Sequence, residues 1–235
     1  MCGVGAAGKK SEDMRGRFIT FEGGEGTGKS THAAMLAARL KSLGINVQLT
    51  REPGGSPGAE IMRYILLSGA VSSLGPNAEA VLFAAARDDH LNTLIRPALE
   101  CGNWVVCDRF ADSTRVYQGV AGNVDSRMIR AMERIVVGDT KPDLTLILDV
   151  PASEGMRRAA QRRGTAGADR FETESLAFHE KLRNGFLALA SSEPDRCVLI
   201  DATLSKEEVG ERIWRAVVNK LNPNIAPIQF EDVSP

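Results

Sequence analysis

Residues 23–30 have the spacing G-x-x-x-x-G-K-S, which is the pattern of a loop that binds the phosphates of a nucleoside triphosphate. Its glycines allow backbone N–H groups to converge on an anion, and the dipole of a following helix favours the same charge. Lys29 can reach the β- and γ-phosphates, and the Ser30 hydroxyl is placed to bind Mg²⁺. A glycine-rich turn with a chance lysine is the alternative interpretation. The residues expected to contact the nucleotide are Gly23, Gly24, Glu25, Gly26, Thr27, Gly28, Lys29, Ser30 and Thr31.

Two further pairs of charged residues follow strand-like runs of the chain. Asp108 and Arg109 come after the apolar run 104–107, so the carboxylate can help to hold Mg²⁺ and the guanidinium can bind a phosphate. Arg51 and Glu52 come after another run and could bind a second phosphate and reach the metal or its waters. A salt bridge at a strand end is the alternative for the first pair. A rigid Pro-Gly turn with a solvated ion pair is the alternative for the second.

The elements that must position these residues alternate between strands and helices. Five such strands predict an α/β fold, in which a five-stranded parallel sheet carries helices on both faces. Ligands of these sheets bind beyond the carboxyl ends of the strands, where the charged residues stand. Strands are expected at 17–22, 46–50, 104–107, 144–150 and 197–201, and helices at 30–43, 59–67, 77–100, 126–137, 152–163, 173–191 and 206–221.

Composition and charge exclude several classes of protein. With a formal net charge of −1, the chain has no bulk attraction to nucleic acid or to an anionic membrane, so neither is expected as a partner. No apolar run is long enough to span a bilayer. The four cysteines show no C-x-x-C spacing and are expected to be buried reduced thiols, which indicates a cytoplasmic location. One domain is expected over residues 16–221, between a disordered leader at 1–15 and a flexible tail at 222–235.

Five short segments occur in a fixed order along the chain. They read FEGGEGTGKST at 21–31, REPGG at 51–55, FAAAR at 83–87, DRFADSTRVYQG at 108–119 and PDLT at 142–145. In this order and at these separations they resemble the bacterial thymidylate kinases, which are P-loop nucleoside monophosphate kinases, over about residues 16–220. The phosphate loop by itself would be weak evidence of this family. The second and fourth segments together are much more specific.

The resemblance implies an activity and a set of acceptor contacts. The activity is Mg²⁺-dependent transfer of the γ-phosphoryl group of ATP to dTMP, giving dTDP and ADP for dTTP and DNA synthesis, in a homodimer. Phe83 would lie flat on thymine, and Arg87 would donate to thymine O4, where cytosine presents an amino donor instead. Tyr117 would pack against the sugar C2′ and exclude a ribose hydroxyl. A core residue on an apolar helix is the alternative for Phe83.

The remaining roles also follow from the resemblance. Arg51 and Arg109 would hold the dTMP phosphate, and Arg63 would lie over the acceptor pocket. Glu25 would accept a hydrogen bond from the sugar 3′-hydroxyl. Further substrate contacts would come from Ser113, Thr114 and Gln118, and the metal site from Ser30, Glu52 and Asp108.

The arginine-rich segment 157–172 resembles the lid that closes over ATP in this family. In some members an arginine follows the acid of the phosphate loop, but here Gly26 follows Glu25. The positive charge on the transferring group must therefore come from elsewhere, and Arg158 and Arg163 are favoured as catalytic residues beside Lys29 and Arg109. An RNA-binding patch or a solvated helix face is the alternative for this segment.

Three other functions remain as alternatives at this point. A regulatory GTPase normally carries Asn-Lys-x-Asp, and the nearest string, NKLN at 219–222, lacks the acid. A nucleic-acid-dependent ATPase would leave Arg51, Phe83, Arg87 and Tyr117 without a joint purpose. Another nucleoside monophosphate kinase is the third alternative. Base discrimination by Phe83 and Arg87 argues for thymine, with dUMP as a weaker acceptor.

Overall fold

A computed structural model describes residues 15–163 and 171–222 and shows one parallel sheet. The strand order is β2-β3-β1-β4-β5, and every pairing is parallel. The prediction of a five-stranded parallel sheet is therefore confirmed, with each boundary within one residue of the expected one. The strands are β1 (Phe18–Glu22), β2 (Val47–Arg51), β3 (Trp104–Asp108), β4 (Leu144–Asp149) and β5 (Cys197–Asp201).

The helices connect the strands and supply both outer layers. The expected helix 77–100 is interrupted by a π-helical segment at Leu91–Ile95, and a second such segment spans Arg115–Ala121. Short 3₁₀ turns lie at Ser72–Leu74 and Phe171–Thr173. The α-helices are α1 (Lys29–Ser42), α2 (Pro57–Leu67), α3 (Gly75–His90), α4 (Arg96–Glu100), α5 (Ala111–Thr114), α6 (Ser126–Val136), α7 (Ala152–Arg163), α8 (Leu176–Ser192) and α9 (Lys206–Leu221).

Side chains of the central strand β1 alternate between two cores. Ile19 and Phe21 pack in the cluster that α1 and α9 cover, whereas Phe18 packs in the cluster formed with α4 and the π segment before it. A third cluster joins Ile147 of β4 to α8 and to the segment after α5. Helices therefore cover both faces, as the run of buried residues in each central strand predicts.

The helical stretch from Ala111 to Ala121 was not predicted. Its Ser, Thr, Val and Gly residues have low helix propensity, so the local sequence carries no helix signal. In the structure, Glu22 at the end of β1 accepts hydrogen bonds from the backbone N–H groups of Phe110 (2.8 Å) and Ser113 (3.3 Å). A carboxylate distant in sequence thus caps this helix, and local patterns cannot reveal such a cap.

The cysteines differ from the prediction, and most of the predicted terminal segments are not described. Cys107 and Cys197 are buried and free, but Cys101 is exposed and disulfide-bonded, so the prediction of buried reduced thiols is wrong there. Of the predicted leader and tail, all but Arg15 and Asn222 lie outside the described residues. Within the described ranges, no helix combines the length and apolar character needed to cross a membrane.

Candidate active site

One cavity of about 270 Å³ at the carboxyl end of the sheet brings together the two groups of predicted residues. Residues of the phosphate loop line one side, and residues of β2, α3, β3 and α5 with their loops line the other. Gly23, Gly24, Thr27 and Arg158 do not line it. The predicted residues that do are Glu25, Gly26, Gly28, Lys29, Ser30, Thr31, Arg51, Glu52, Arg63, Phe83, Arg87, Asp108, Arg109, Ser113, Thr114, Tyr117 and Gln118.

The phosphate loop connects β1 to the N-terminus of α1. Gly28 is the N-cap of α1 and has a left-handed φ of 89°, which glycine adopts without strain. Lys29 is buried, and its Nζ donates to the Gly24 carbonyl (2.5 Å) and to Thr27 Oγ1 (3.3 Å), so the cation lies over the loop. Burial and the nearby Arg109 lower the pKa of Lys29 to about 8. A bound phosphate would favour its charged form.

Ser30 and Asp108 are in contact where they line the cavity. The Ser30 hydroxyl donates to Asp108 Oδ2. The other carboxylate oxygen, Oδ1, is buried and has no hydrogen-bond partner among the described residues. Hydroxyl and carboxylate oxygens are the ligands that Mg²⁺ prefers, and this cation commonly takes only one or two protein ligands beside phosphates and water. The pair fits such a site.

Glu52 lines the same cavity as Ser30 and Asp108, but its carboxylate is bound by side chains of α3. Its Oε2 accepts from Arg87 Nε at 2.7 Å, and its Oε1 lies 3.1 Å from His90 Nδ1, with all three side chains buried. Both carboxylate oxygens are therefore engaged by side chains of α3. The metal role of Glu52 therefore stays a prediction, and the observed partners of its carboxylate are Arg87 and His90.

Phe83 and Arg87 stand one helical turn apart on α3 and both line the cavity. Phe83 is half-buried at the edge of a core cluster, 6.4 Å from Phe171 between ring centroids, and is not sealed in the interior. Arg87 is buried, and its Nη2 donates to the Phe110 carbonyl and to Thr114 Oγ1, both at 3.1 Å. The aromatic face and the guanidinium thus flank the same space.

Glu25, Arg109 and Tyr117 form a charged group between the two sides. Arg109 Nη2 donates to Glu25 Oε1 at 2.5 Å, and the Tyr117 hydroxyl donates to the same oxygen at 2.8 Å. Burial by itself would raise the pKa of Glu25, but Arg109 and Lys29 outweigh it and lower that pKa to about 2. Arg109 also has a positive φ of 69°, an uncommon conformation for a non-glycine residue that occurs at functional sites.

Two arginines stand at the outer edge of the cavity. The half-exposed Arg51 donates through Nη2 to both carboxylate oxygens of Glu60, at 3.0 and 3.2 Å. Arg63 donates to the Pro53 carbonyl at 2.7 Å. Both guanidinium groups lie where the phosphate of a second nucleotide could reach them.

Of the two lid arginines predicted to act on the transferring group, the structure describes only the side chain of Arg158. Arg158 donates to Glu154 (2.6 Å) and to the Ala202 carbonyl (2.9 Å), away from the cavity. Arg162, one turn further along α7, lines the cavity and donates to Glu172 at 2.8 Å. The side chain of Arg163 and residues 164–170 lie outside the described part. Arg158 and Arg162 share one face of α7 because they are four residues apart, but only Arg162 lines the cavity.

Sequence reasoning also missed Glu22. Besides capping α5, its Oε2 accepts from the Ser113 hydroxyl at 2.6 Å. Burial, and then the negative charge of Asp112, raises the pKa of Glu22 to about 8. An acid at the end of a mostly apolar strand was the available signal, because a fully buried carboxyl group requires hydrogen-bonding partners.

A parallel sheet, a phosphate loop after the first strand, an acid at the end of β3 and an arginine-rich helix α7 define a P-loop nucleoside monophosphate kinase. The family model described as "Thymidylate kinase" matches residues 21–213. The thymidylate kinase of Nitrobacter winogradskyi is 59% identical over 208 residues, covering 88% of this chain and 90% of that protein. The thymidylate kinase of Bradyrhizobium diazoefficiens is 58% identical over 214 residues, covering 91% and 94%.

A solved structure agrees with these relatives. The crystal structure of thymidylate kinase from Ehrlichia chaffeensis superposes with a TM-score of 0.71 at 32% identity, covering 86% of this chain and 99% of that one. The chain belongs to the thymidylate kinase family. Its class is that of a phosphotransferase acting on a nucleoside monophosphate with ATP.

Proposed function

We propose that this cavity is where the enzyme transfers the γ-phosphoryl group of ATP to dTMP, giving dTDP and ADP. The observation that supports this most is that one cavity combines a phosphate-binding surface with a base-binding surface. Lys29 and Ser30 lie on one side, and Phe83 and Arg87 lie on the other. A phosphate-binding loop without a base-binding partner would serve any NTPase, whereas this combination suits two nucleotides placed end to end.

On the donor side, the loop residues 23–31 bind the ATP phosphates through backbone N–H groups. The ammonium group of Lys29 neutralises negative charge on the β- and γ-phosphates. Ser30 and Asp108 hold Mg²⁺, which would neutralise charge on the phosphates when bound. The buried, unsatisfied Asp108 Oδ1 supports this assignment. Glu52 is left out because its oxygens are already engaged.

On the acceptor side, Phe83 stacks on thymine and Arg87 donates to O4. Arg51, Arg63 and Arg109 bind the dTMP phosphate. Glu25 accepts from the 3′-hydroxyl, and Tyr117 packs against C2′. Further polar contacts come from Ser113, Thr114 and Gln118.

The chemistry needs no covalent intermediate. An oxygen of the dTMP phosphate attacks the γ-phosphorus, and the protein positions the reactants and neutralises the charge that develops. Arg109 lies between the phosphate loop and the acceptor side and can contact the transferring group from there. Arg162 is the lid residue that the structure brings to the cavity, so we propose it ahead of Arg158 and Arg163.

We further propose that two copies associate through α2 and α3. Ile61 and Tyr64 on α2 and Val81 on α3 are 66%, 77% and 49% exposed, and the two helices pack side by side. Exposed apolar side chains on neighbouring helices are typical of a face that another molecule covers. Ile61→Asp with Tyr64→Asp should halve the mass measured by light scattering, and an unchanged mass would place the interface elsewhere.

We also propose a cytoplasmic location, on the basis of the proposed activity.

A coupled assay of ADP release, with each nucleoside monophosphate offered separately, tests the function. We expect dTMP to be the best acceptor, dUMP to be weaker because it lacks the methyl group, and dCMP, dAMP and dGMP to be poor. Comparable rates with dCMP and dTMP would contradict the assignment of the base site. ATP hydrolysis that does not depend on any monophosphate would contradict the acceptor site altogether.

A further inference from the structure

A buried chain of side chains runs from β2 to the guanidinium of Arg87. Thr50 Oγ1 lies 2.7 Å from His90 Nε2, and His90 Nδ1 lies 3.1 Å from Glu52 Oε1. Glu52 Oε2 accepts from Arg87 Nε at 2.7 Å. The side chains of His90, Glu52 and Arg87 are 0%, 4% and 6% exposed, so water does not compete for these bonds.

The donors and acceptors of this chain are complementary. A carboxylate only accepts hydrogen bonds, so His90 Nδ1 must donate to Glu52 Oε1. The other carboxylate oxygen of Glu52 accepts from the Arg87 guanidinium. A buried arginine without its carboxylate would leave an uncompensated charge, which is strongly unfavourable.

The backbone of the turn after Glu52 packs against these hydrogen-bonded side chains and restrains them. A Cβ added to Gly55 would lie 2.4 Å from both His90 Nε2 and Thr50 Oγ1, so no side chain fits between the turn and the imidazole. His90 is therefore clamped between β2, the glycine turn and α3. The imidazole cannot rotate without moving one of these elements.

The remaining bonds of Arg87 set the orientation of its planar group. Nε is held by Glu52, and Nη2 is held by the Phe110 carbonyl and Thr114 Oγ1. Within residues 15–163 and 171–222, no hydrogen bond engages Nη1. Because Arg87 lines the cavity, Nη1 is the donor left for a ligand, and its direction is fixed by the bonds on the other two nitrogens.

We propose that Glu52 and His90 are positioning residues that orient the guanidinium of Arg87 and thereby set the discrimination between thymine and cytosine. This inference rests on the proposed role of Arg87 at thymine O4. Glu52 neither binds the metal nor touches the substrate in this account. It acts through Arg87, and His90 acts through Glu52. A fixed N–H donor matches the O4 acceptor of thymine and opposes the amino donor of cytosine, whereas a mobile arginine tolerates both.

Steady-state kinetics of Glu52→Gln with dTMP, dUMP and dCMP tests the proposal. We expect the KM for dTMP to rise about 10- to 100-fold, as for a lost charged hydrogen bond. The KM for ATP and the Mg²⁺ concentration at half-maximal rate should stay close to wild type, and the preference for dTMP over dCMP should fall. An increased Mg²⁺ requirement with unchanged base preference would show that Glu52 serves the metal and would overturn the proposal.

Two variants of His90 provide a second measurement. His90→Asn retains an amide donor near the Nδ1 position, whereas His90→Leu leaves Glu52 Oε1 without a partner. His90→Asn should therefore keep more of the dTMP preference than His90→Leu. Equal losses of rate for every acceptor in both variants, with no change in base preference, would mean a purely structural role and would overturn the proposal.

Two controls separate this inference from the function on which it rests. Asp143→Asn removes a partly buried carboxylate at the opposite end of the sheet, where it accepts from the Phe18 N–H, and should leave base preference unchanged. Arg87→Lys should lose base preference. If Arg87→Lys loses it while Glu52→Gln and His90→Leu keep it, the positioning role is refuted and the base site stands. If Arg87→Lys also keeps it, the base site itself is refuted.

Discussion

The donor and acceptor sides of the cavity are built in different ways. The donor side comes from one contiguous loop, residues 23–31, whose glycines shape a backbone cradle at the start of α1. The acceptor side is assembled from β2, α3, β3 and α5, and its side chains are joined by charged hydrogen bonds between distant residues. The bonds from Arg87 and His90 to Glu52 span 35 and 38 residues of sequence. Local geometry therefore makes the first side, and tertiary folding makes the second.

This difference implies different sensitivities to mutation. A donor-side substitution should act where it is made, either on the phosphates or on the loop backbone. An acceptor-side substitution should act through buried charges, because removal of one partner leaves the other without compensation in a low-dielectric interior. Four substitutions, from the largest expected effect to the smallest, test this contrast.

Lys29→Ala should have the largest effect. It removes the side-chain cation of the phosphate loop, and we expect single-turnover transfer to fall by at least about 1,000-fold. The matched control is Lys41→Ala, an exposed lysine in the last turn of the same helix, which should transfer at the wild-type rate. If Lys29→Ala transfers as fast as the control, the phosphate loop takes no part in the reaction.

Gly26→Ala should destabilise the donor side through its backbone. Gly26 has a φ of +68°, and an added Cβ would lie 2.0 Å from the Gly155 carbonyl of α7. We expect the free energy of unfolding to fall by about 2–4 kcal/mol from strain and overpacking together. Gly24→Ala is the control, because a Cβ there meets no atom within 4 Å. Equal urea midpoints for the two variants would show that the loop and α7 do not pack this closely.

Glu22→Gln should reveal the raised pKa of the buried carboxyl group beneath the acceptor side. Because its pKa is raised from 4.5 to about 8, the folded state holds a proton in this window that the unfolded state has lost. The free energy of unfolding should therefore fall as pH rises from 5.5 to 7.5. Glutamine does not titrate, so the variant should lose about 2–3 kcal/mol less than wild type over this range. Parallel pH profiles in urea unfolding would contradict the raised pKa.

Tyr117→Ala should have the smallest effect and act on sugar selectivity. The ring packs edge-on against Phe171, at 5.3 Å between centroids, and its removal opens space beside the proposed sugar site. We expect the preference for dTMP over ribothymidine monophosphate to fall by about tenfold. Tyr117→Phe loses the hydrogen bond to Glu25 but keeps the ring, so it should keep most of that preference. Identical selectivity in all three proteins would exclude a steric role.

The same contrast explains how much of the molecule could be predicted from sequence. The strands and the phosphate loop depend on runs and spacings of adjacent residues, so their bounds and types were correct. The helical stretch from Ala111 was missed because its cap is Glu22 on another strand. The partners of Glu52 on α3 were also missed, because they lie 35 and 38 residues away in sequence.

Helix α7 shows a further reason why the sequence could not predict every residue of the cavity. Arg158 and Arg162 share one face of α7, and sequence alone cannot tell which turn of that helix reaches the cavity. Close packing of Gly26 against Gly155 fixes the position of α7 and brings Arg162 to the site. This contact depends on two glycines far apart in sequence, so its consequence became visible only in three dimensions.

A crystal structure with dTMP and a non-hydrolysable ATP analogue is the most direct test of the central claim, that one cavity holds both nucleotides end to end. We expect Lys29 Nζ within hydrogen-bonding distance of the terminal phosphates, thymine stacked on Phe83, and its O4 bonded to Arg87. A thymine ring bound away from Phe83, or terminal phosphates out of reach of Lys29, would contradict the claim.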